Sequence, residues 1–394
     1  MKKTAAVVDF GTSKIVTLVA ESGSYHRCDI IGAGTVSYDG FMDGEWNAPG
    51  LVSQAIHDSV AEAEAQSHRR IKEVYVGVPG EFSRVYVIET QVQLQGADPR
   101  VTPADVERVF IQATEEVQPL RGAIIHRSPA WFMVDEGKKT MEPVDMKGST
   151  LRAMVSFIVA DQFFLNDVSN RMAQMGLTVK GFYSTPMGEA LLFLTPEDRD
   201  RTAVLVDVGY LSTEVMAVEG DALIFHKVLP VGGAHITLDL VTGLEAPMAQ
   251  CEQIKRSYVF NINADEKQEA IAENGQSETF SHEQVARVLE PRVDEIAEMI
   301  QECIDHSGVR LGSWSNIYLT GGGIAPMNGG RVYLSNQLGR AVRQPAAKTA
   351  KLNSPIYSSA LGLVDLVFET IETSEEEGSV VGKISSFFQN LLGK

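Results

Sequence analysis

The stretch that decides the fold is TAVLVDVGYLSTEVMAVEGDALI, Thr202 to Ile224, because an earlier one, TAAVVDFGTSKIVTLVA from Thr4 to Ala20, follows the same plan. Each opens with a β-branched apolar run, passes through Asp-x-Gly and small hydroxylated residues, and returns in a second β-rich run. Such runs with a turn signal between them read as strand, tight turn, strand. A further strand ending at glycine follows each, IIGAG (Ile30 to Gly34) and VLPVGG (Val228 to Gly233). A long-range echo of this kind predicts two related halves, each opening with a hairpin.

Outward from the first hairpin lie a helical stretch, LVSQAIHDSVAEAEAQ (Leu51 to Gln66), and a strand, IKEVYVGVPG (Ile71 to Gly80). The texture then changes from Ser83 to Phe164: strands around Val85 to Gln95, a helix opened by Thr102, Pro103 and Asp105, and strands near Ala130 to Val134 and Leu151 to Val159. Thr followed by Pro and Asp is a helix start, and the pattern predicts an inserted α+β unit. After the second hairpin a helix runs from Pro247 to about Val259, and NADEKQEAIAENGQSETF reads as a surface loop or short hairpin. A long amphipathic helix follows from Glu283 to Gly308, which Pro291 should kink or divide. Next come a strand into glycines, NIYLTGGGIAPMNG, a last globular element from Pro355 to Phe368, and the charged linker TSEEEGS (Thr373 to Ser379).

With 394 residues, the chain exceeds what a single core usually supports. Its net charge of −18 argues against a nucleic-acid binder, whose affinity comes largely from Lys and Arg on phosphates. Cys28, Cys251 and Cys303 fit neither a metal-ligand spacing nor a disulfide framework, and read as reduced thiols. The opening MKKTAAVVDFG resembles a signal peptide only until Asp9 interrupts its apolar run. No stretch is long enough to span a bilayer, which points to a cytosolic body.

A turn holding Gly11 can direct several backbone N–H groups into one concavity, as phosphate-binding loops do. Thr12 and Ser13 would add hydroxyls and Lys14 a positive charge. Asp9 and Asp207 occupy matching places in the two hairpins, and paired carboxylates facing a polyphosphate suit Mg²⁺ that keeps its waters. Asp-x-Gly also serves as plain hairpin chemistry. Gly321, Gly322 and Gly323 permit close approach to a flat ligand or form an ordinary strand-to-helix loop. Glu252 and Lys255, three apart on a helix, share a face and could be no more than a surface ion pair.

In this order, the paired hairpins, the Glu-x-x-Lys helix and the late glycine cluster resemble the nucleotide cleft of the actin, heat-shock-chaperone and sugar-kinase superfamily. Other stretches, including VYVGVPGEF, VTPADVERVFIQA, MEPVDMKGSTLRA, LPVGGAHITLDL, LEPRVDEI and YLTGGGIAPMNG, resemble the bacterial cell-division family FtsA over nearly the whole chain. The resemblance implies an α/β, actin-like two-domain fold with an inserted α+β subdomain and a C-terminal amphipathic helix. Its divisions would be 1–82, 83–164 (the insertion), 165–198, 199–350, 351–368, the linker 369–379 and the helix 380–394.

The function implied is an ATP-binding, polymerising adaptor that tethers FtsZ filaments to the cytoplasmic face of the cell membrane at the division site. Other division proteins would meet the inserted subdomain. Asp9, Gly11, Thr12 and Ser13 would belong to the first phosphate loop and Asp207, Gly209, Ser212 and Thr213 to the second. Gly232 and Gly233 would lie near the ribose, Glu252 and Lys255 at the nucleoside and Gly321 to Gly323 at adenine, with Arg292 contacting the FtsZ tail. The family's second loop reads Asp-x-Gly-Gly-Gly-Thr-Thr-Asp, whereas this chain has DVGYLSTE. Tyr210 and Leu211 replace glycines and Glu214, the catalytic candidate, replaces an aspartate, so the expectation is ATP binding with little hydrolysis. An actin-like scaffold of type IV pilus assembly and a small-molecule kinase of the superfamily are the competing readings.

The tail VVGKISSFFQNLLGK, Val380 to Lys394, divides cleanly on a helix of 3.6 residues per turn. Val380, Val381, Ile384, Phe387, Phe388, Leu391 and Leu392 share one side, and Ser385, Ser386, Gln389, Asn390, Lys383 and Lys394 the other. Position, acidic linker and Phe-Phe pair suit an in-plane helix on an anionic membrane. Docking in a protein partner is the alternative.

Overall fold

A computed structural model describes residues 3–23, 28–117, 122–261, 267–271, 277–312, 315–345, 352 and 354–373. The expected membrane helix and most of its linker lie outside the described residues. The first echo folds as an antiparallel meander, β1 (Thr4–Phe10), β2 (Lys14–Ser22) and β3 (Cys28–Ser37). A short hairpin, β4 (Phe41–Met42) and β5 (Glu45–Trp46), leads to α1 (Pro49–Ser67) and to β6 (Glu73–Val78), which joins β1 in parallel.

The texture change is a separate unit: β7 (Ser83–Gln93), α2 (Pro103–Val117), β8 (Ala123–Val134) and β9 (Thr150–Ala160), with sheet order β7-β9-β8. The side chain of Asp105 reaches back to Thr102 at the start of α2, as that helix signal requires. β8 begins earlier than its apolar end suggests, and its register shifts between Pro129 and Trp131, where proline cannot donate to the ladder.

The chain then returns through α3 (Gln162–Gln174), β10 (Thr178–Ser184), α4 (Thr185–Phe193) and α5 (Pro196–Arg199). The second echo folds as β11 (Ala203–Val208), β12 (Thr213–Glu219) and β13 (Ala222–Leu229), then α6 (Gly233–Leu244) and α7 (Met248–Ser257). The polar stretch is a hairpin, β14 (Lys267–Ile271) and β15 (Ser277–Ser281). After it come α8 (His282–His306), β16 (Ile317–Thr320), α9 (Gly330–Gln337), β17 (Val342–Arg343) and α10 (Ser358–Thr373).

Pro291 does not divide α8, which runs unbroken through it. The helix loses one backbone bond on an exposed side while Val285, Leu289, Val293, Ile296, Ile300 and Ile304 stay buried on the other. Burial of that face, worth about 1.5–3 kcal/mol per side chain, outweighs a lost hydrogen bond worth roughly 0.5–1.5 kcal/mol.

Two five-stranded sheets repeat one topology, β3-β2-β1-β6-β10 in the first and β13-β12-β11-β16-β17 in the second. β1 is buried on both faces: Ala6, Val8 and Phe10 pack toward α1, while Ala5 and Val7 pack toward α10. β11 likewise sends Val204, Val206 and Val208 to the α6 and α8 side and Ala203 and Leu205 to α4. Continuous apolar runs are what a strand covered on both faces needs. α4 and α10 thus lie against opposite sheets and cross where Gly188 meets Gly362. A Cβ on Gly188 would stand 2.6 Å from the Gly362 carbonyl oxygen.

The inserted unit also packs on the second sheet's β12–β13 hairpin. Ser156 Oγ donates to the Leu223 carbonyl at 2.5 Å in a buried bond, Lys139 pairs with Glu219 at 2.5 Å, and Trp131 and Ala130 pack on Ala222.

Candidate functional site

The two hairpin turns match in pairing and in their closing hydrogen bond. Phe10 pairs with Ile15 and Val208 with Thr213 across the closing position, while Gly11 N–H donates to Lys14 O at 3.0 Å and Gly209 N–H to Ser212 O at 2.9 Å. Asp9 and Asp207 therefore stand at equivalent points, each one strand residue before the turn. Opposite Asp207 across the ladder stands Glu214. The turns face each other directly, since Leu211 N–H donates to Thr12 Oγ1 at 3.1 Å.

The Asp9 carboxylate accepts from Ser359 Oγ at 2.7 Å and from Thr185 Oγ1 at 3.5 Å. Burial pushes it up to about 6, with Ser359 and Lys14 pulling the other way. Burial, then the charge of Glu214, pushes Asp207 up to about 7. Glu189 on α4, bonded to Asp207, is raised well above the carboxylate range, first by burial and then by the charges of Asp207, Glu214 and Asp9. Neither Asp207 Oδ1 nor Glu189 Oε1, both buried, has a hydrogen-bond partner. Lys14 lies 5.1 Å over the Tyr357 ring and is lowered by burial against the opposing pull of Asp9 and Asp207. Tyr38 steadies the first turn by donating its hydroxyl to Gly11 O at 2.8 Å.

Glycines pack the far wall backbone to backbone. Gly233 N–H donates to Gly209 O at 2.9 Å, and Gly323 N–H to Val208 O at 2.7 Å. Gly321 has a φ of +86°, and a Cβ there would stand 2.0 Å from Asp207 Oδ1. Gly232 could not carry a Cβ either, for it would meet Tyr210 O at 2.6 Å. Gly322 is exposed, near Ile356. Thr213 Oγ1 anchors its strand by donating to Val231 O at 2.7 Å.

Lys255 is no surface residue. It is 3% exposed, donates to Gly233 O at 3.0 Å and pairs with Glu252 at 2.6 Å. Thr237 Oγ1 donates to the same carboxylate at 2.6 Å and Arg256 pairs with it at 2.8 Å. Against the burial that would raise it, Lys255 and these donors hold Glu252 below its ordinary range. Glu214 meets His226 at 2.9 Å beside Gly80, at the seam between the first and second sheets.

The donor set fits phosphate oxygens. Among the described residues, the backbone N–H groups of Thr12, Ser13, Tyr210 and Ser212 carry no hydrogen bond, and Lys14 stands beside them. No group of three or more His, Cys, Asp or Glu among the described residues is arranged to hold a metal ion. Asp9 and Asp207, carboxylates at matching places beside the two turns, fit a cation held through its waters. Tyr210 and Leu211 give the second turn no glycine flexibility, and the Leu211–Thr12 bond must yield for a phosphate to sit between the turns.

The structure brings the residues of both turns, Gly232, Gly233, the Glu252–Lys255 pair and the Gly321–Gly323 loop to one cleft. It does not bring Arg292 there. That guanidinium lies between α8 and α6, bidentate on Asp239 at 2.6 and 3.1 Å and also paired with Glu295, so a partner's carboxylate would have to displace Asp239. Glu189, Thr185, Ser359 and Tyr357 belong to the cleft and went unread in the sequence. The one available signal was Glu189 as a lone acid in the apolar stretch TPMGEALLF.

The family model for Cell division protein FtsA matches residues 204–362, and that for the SHS2 domain inserted in FtsA matches residues 80–159. The Cell division protein FtsA of Pseudomonas aeruginosa is 27% identical over 91% of this chain and 87% of its own length. That of Escherichia coli K12 is 24% identical over 99% of this chain and 97% of its own. Among solved structures, a PilM–PilN type IV pilus biogenesis complex aligns with a TM-score of 0.62 at 17% identity, over 92% of this chain and 98% of that one. MreB5 of Spiroplasma citri bound to AMPPNP aligns with a TM-score of 0.55 at 12% identity, over 96% and 99%. At these identities the structural likeness shows the fold alone: an actin-like one.

Proposed function

The chain belongs to the FtsA family of cell division proteins, and on that premise we propose that it is an ATP-binding, self-assembling adaptor that tethers FtsZ filaments to the cytoplasmic face of the membrane at the division site. The observation that carries the nucleotide part is the pair of matched turns, with free amides, Lys14, the buried Asp9 and the partly buried Asp207 converging on one cleft. ATP would lie with its phosphates between the turns, its Mg²⁺ hydrated against Asp9 and Asp207, its ribose by Gly232 and Gly233 and its base between Lys255, Glu252 and the Gly321–Gly323 loop. AMPPNP in the MreB5 structure supports a nucleotide in a cleft of this fold.

Hydrolysis is slow in this reading. Glu214, the catalytic candidate, is engaged by His226, and the Leu211–Thr12 contact closes the space between the turns where a phosphate would sit. The sequence divisions at 83, 165, 199 and 351 remain our proposed domain boundaries. No described helix is long and apolar enough to cross a membrane, so attachment rests on the tail, through Val381, Ile384, Phe387, Phe388, Leu391 and Leu392. Several partly inserted side chains supply roughly 5–8 kcal/mol before ordering costs, and each lysine near anionic lipid about 1 kcal/mol. That holds one copy weakly and an assembly strongly, through avidity.

Vesicle co-sedimentation tests the whole reading. The full chain and one ending at Gly378 are compared on anionic liposomes, each with and without ATP and Mg²⁺. Tail-dependent binding that strengthens with ATP is expected. Tail-dependent binding indifferent to ATP would remove the nucleotide link, and no binding by either chain would make the tail a protein-docking helix.

A further inference from the structure

In a chain of net charge −18, three arginines converge on one depression at the edge of the second sheet. It is a cavity of about 730 Å³ lined by Arg201, Arg340, Arg343, Glu197, Asp198 and Asn316 among others. Its frame is built. Ser315 Oγ donates to Arg201 O at 2.9 Å, and Ser335 Oγ donates to Arg340 O at 2.7 Å while accepting from Val342 N at 3.3 Å. Asp198 is committed: it caps α5 through the Thr195 hydroxyl and amide, and accepts from Asn316 Nδ2 at 2.9 Å. Arg343 is tied to the Tyr318 hydroxyl.

The guanidinium groups of Arg201 and Arg340 carry no ion pair or hydrogen bond among the described residues. Arg69, Arg152, Arg199 and Arg292, by contrast, are each paired with a carboxylate. Two free planar forks on one concave wall match carboxylates bidentately. Glu197 on the same wall opposes a compact polyanion such as phosphate but tolerates carboxylates spaced along a chain. The acidic body repels such a segment at long range, yet screening beyond about 8 Å at physiological salt leaves the local field in charge at contact.

We propose that this depression, remote from the nucleotide cleft, is a docking site for a short acidic peptide segment of a partner protein, held by Arg201 and Arg340. The probe is fluorescein-labelled hexaglutamate on the full chain at physiological salt, where the long-range repulsion is screened, read by anisotropy, with hexaglutamine as the neutral comparator. Hexaglutamate alone is expected to bind. Arg201→Glu with Arg340→Glu should weaken it by about tenfold or more, since like charges then face each other. Arg201→Ala with Arg340→Ala should weaken it less but measurably, and Arg287→Glu, on the exposed side of α8, should not change it. No hexaglutamate binding, binding untouched by either double substitution, or equal loss in the Arg287 variant would overturn the proposal. Displacement of the peptide by inorganic phosphate at matched charge would overturn it in favour of a compact anion site.

Discussion

At the scale of single residues, Lys255 holds its ammonium 3.0 Å from the Gly233 carbonyl and 2.6 Å from Glu252, almost wholly out of water. Lys255→Met keeps the stem and removes the charge, leaving Glu252 half-compensated by Arg256 alone. Fluorescent-nucleotide titration is expected to show affinity lowered about tenfold or more, as removal of one member of a desolvated pair does; unchanged affinity would place the nucleoside elsewhere. Asp9 and Asp207 carry a second prediction. Their folded carboxyls titrate near 6 and 7, above the unfolded value of about 4. The folded chain thus holds protons that the unfolded chain has released. That contribution to stability is whole below about pH 4 and lost as pH rises through about 6 to 7. The nucleotide-free melting temperature should therefore fall between about pH 5 and about pH 8, and Asp207→Asn should flatten the slope.

At the scale of elements, the α4–α10 crossing is the closest approach of the two helices that separate the sheets. Gly188 and Gly362 let their backbones touch, and this seats Glu189 against Asp207 and Ser359 against Asp9. Gly188→Ala would drive a Cβ into backbone 2.6 Å away. Such overpacking costs about 1–3 kcal/mol, to be read from a lowered denaturant midpoint. α8 shows the opposite balance, where Pro291 is tolerated because the buried face decides.

At the scale of the whole molecule, the inserted unit is clasped to the β12–β13 hairpin of the second sheet although it departs from the chain of the first. Gly220 is the tightest point, with a φ of +57° and room for no Cβ, which would meet Ala130 O at 2.1 Å. Gly220→Val should loosen the clasp, raising hydrogen exchange in β8 and β13 while sparing β1 and β6. Attachment through the tail depends on many copies acting together. Phe387→Glu with Phe388→Glu should release the protein from anionic vesicles and leave nucleotide affinity unchanged; undiminished lipid binding would sink the anchor.

Local chemistry was legible in the sequence wherever it repeats a local rule. The two Asp-x-Gly hairpins are β1–β2 and β11–β12 because alternation and turn residues act within a few positions, and Thr102 with Asp105 starts a helix for the same reason. The sequence by itself determined that there are two related sheets, an α+β unit of its own texture between their opening hairpins, and glycines at points of close approach. Only the tertiary structure decided that Lys255 is buried, that Arg292 is already spent on Asp239, that Glu189 touches Asp207, and that Leu211 closes on Thr12. Arg292 and Asp239, Glu189 and Asp207, and Leu211 and Thr12 are each distant in sequence, and burial, which turns the exposed charge expected of Lys255 into a site or a cost, is a property of what packs around a residue and not of the residue itself.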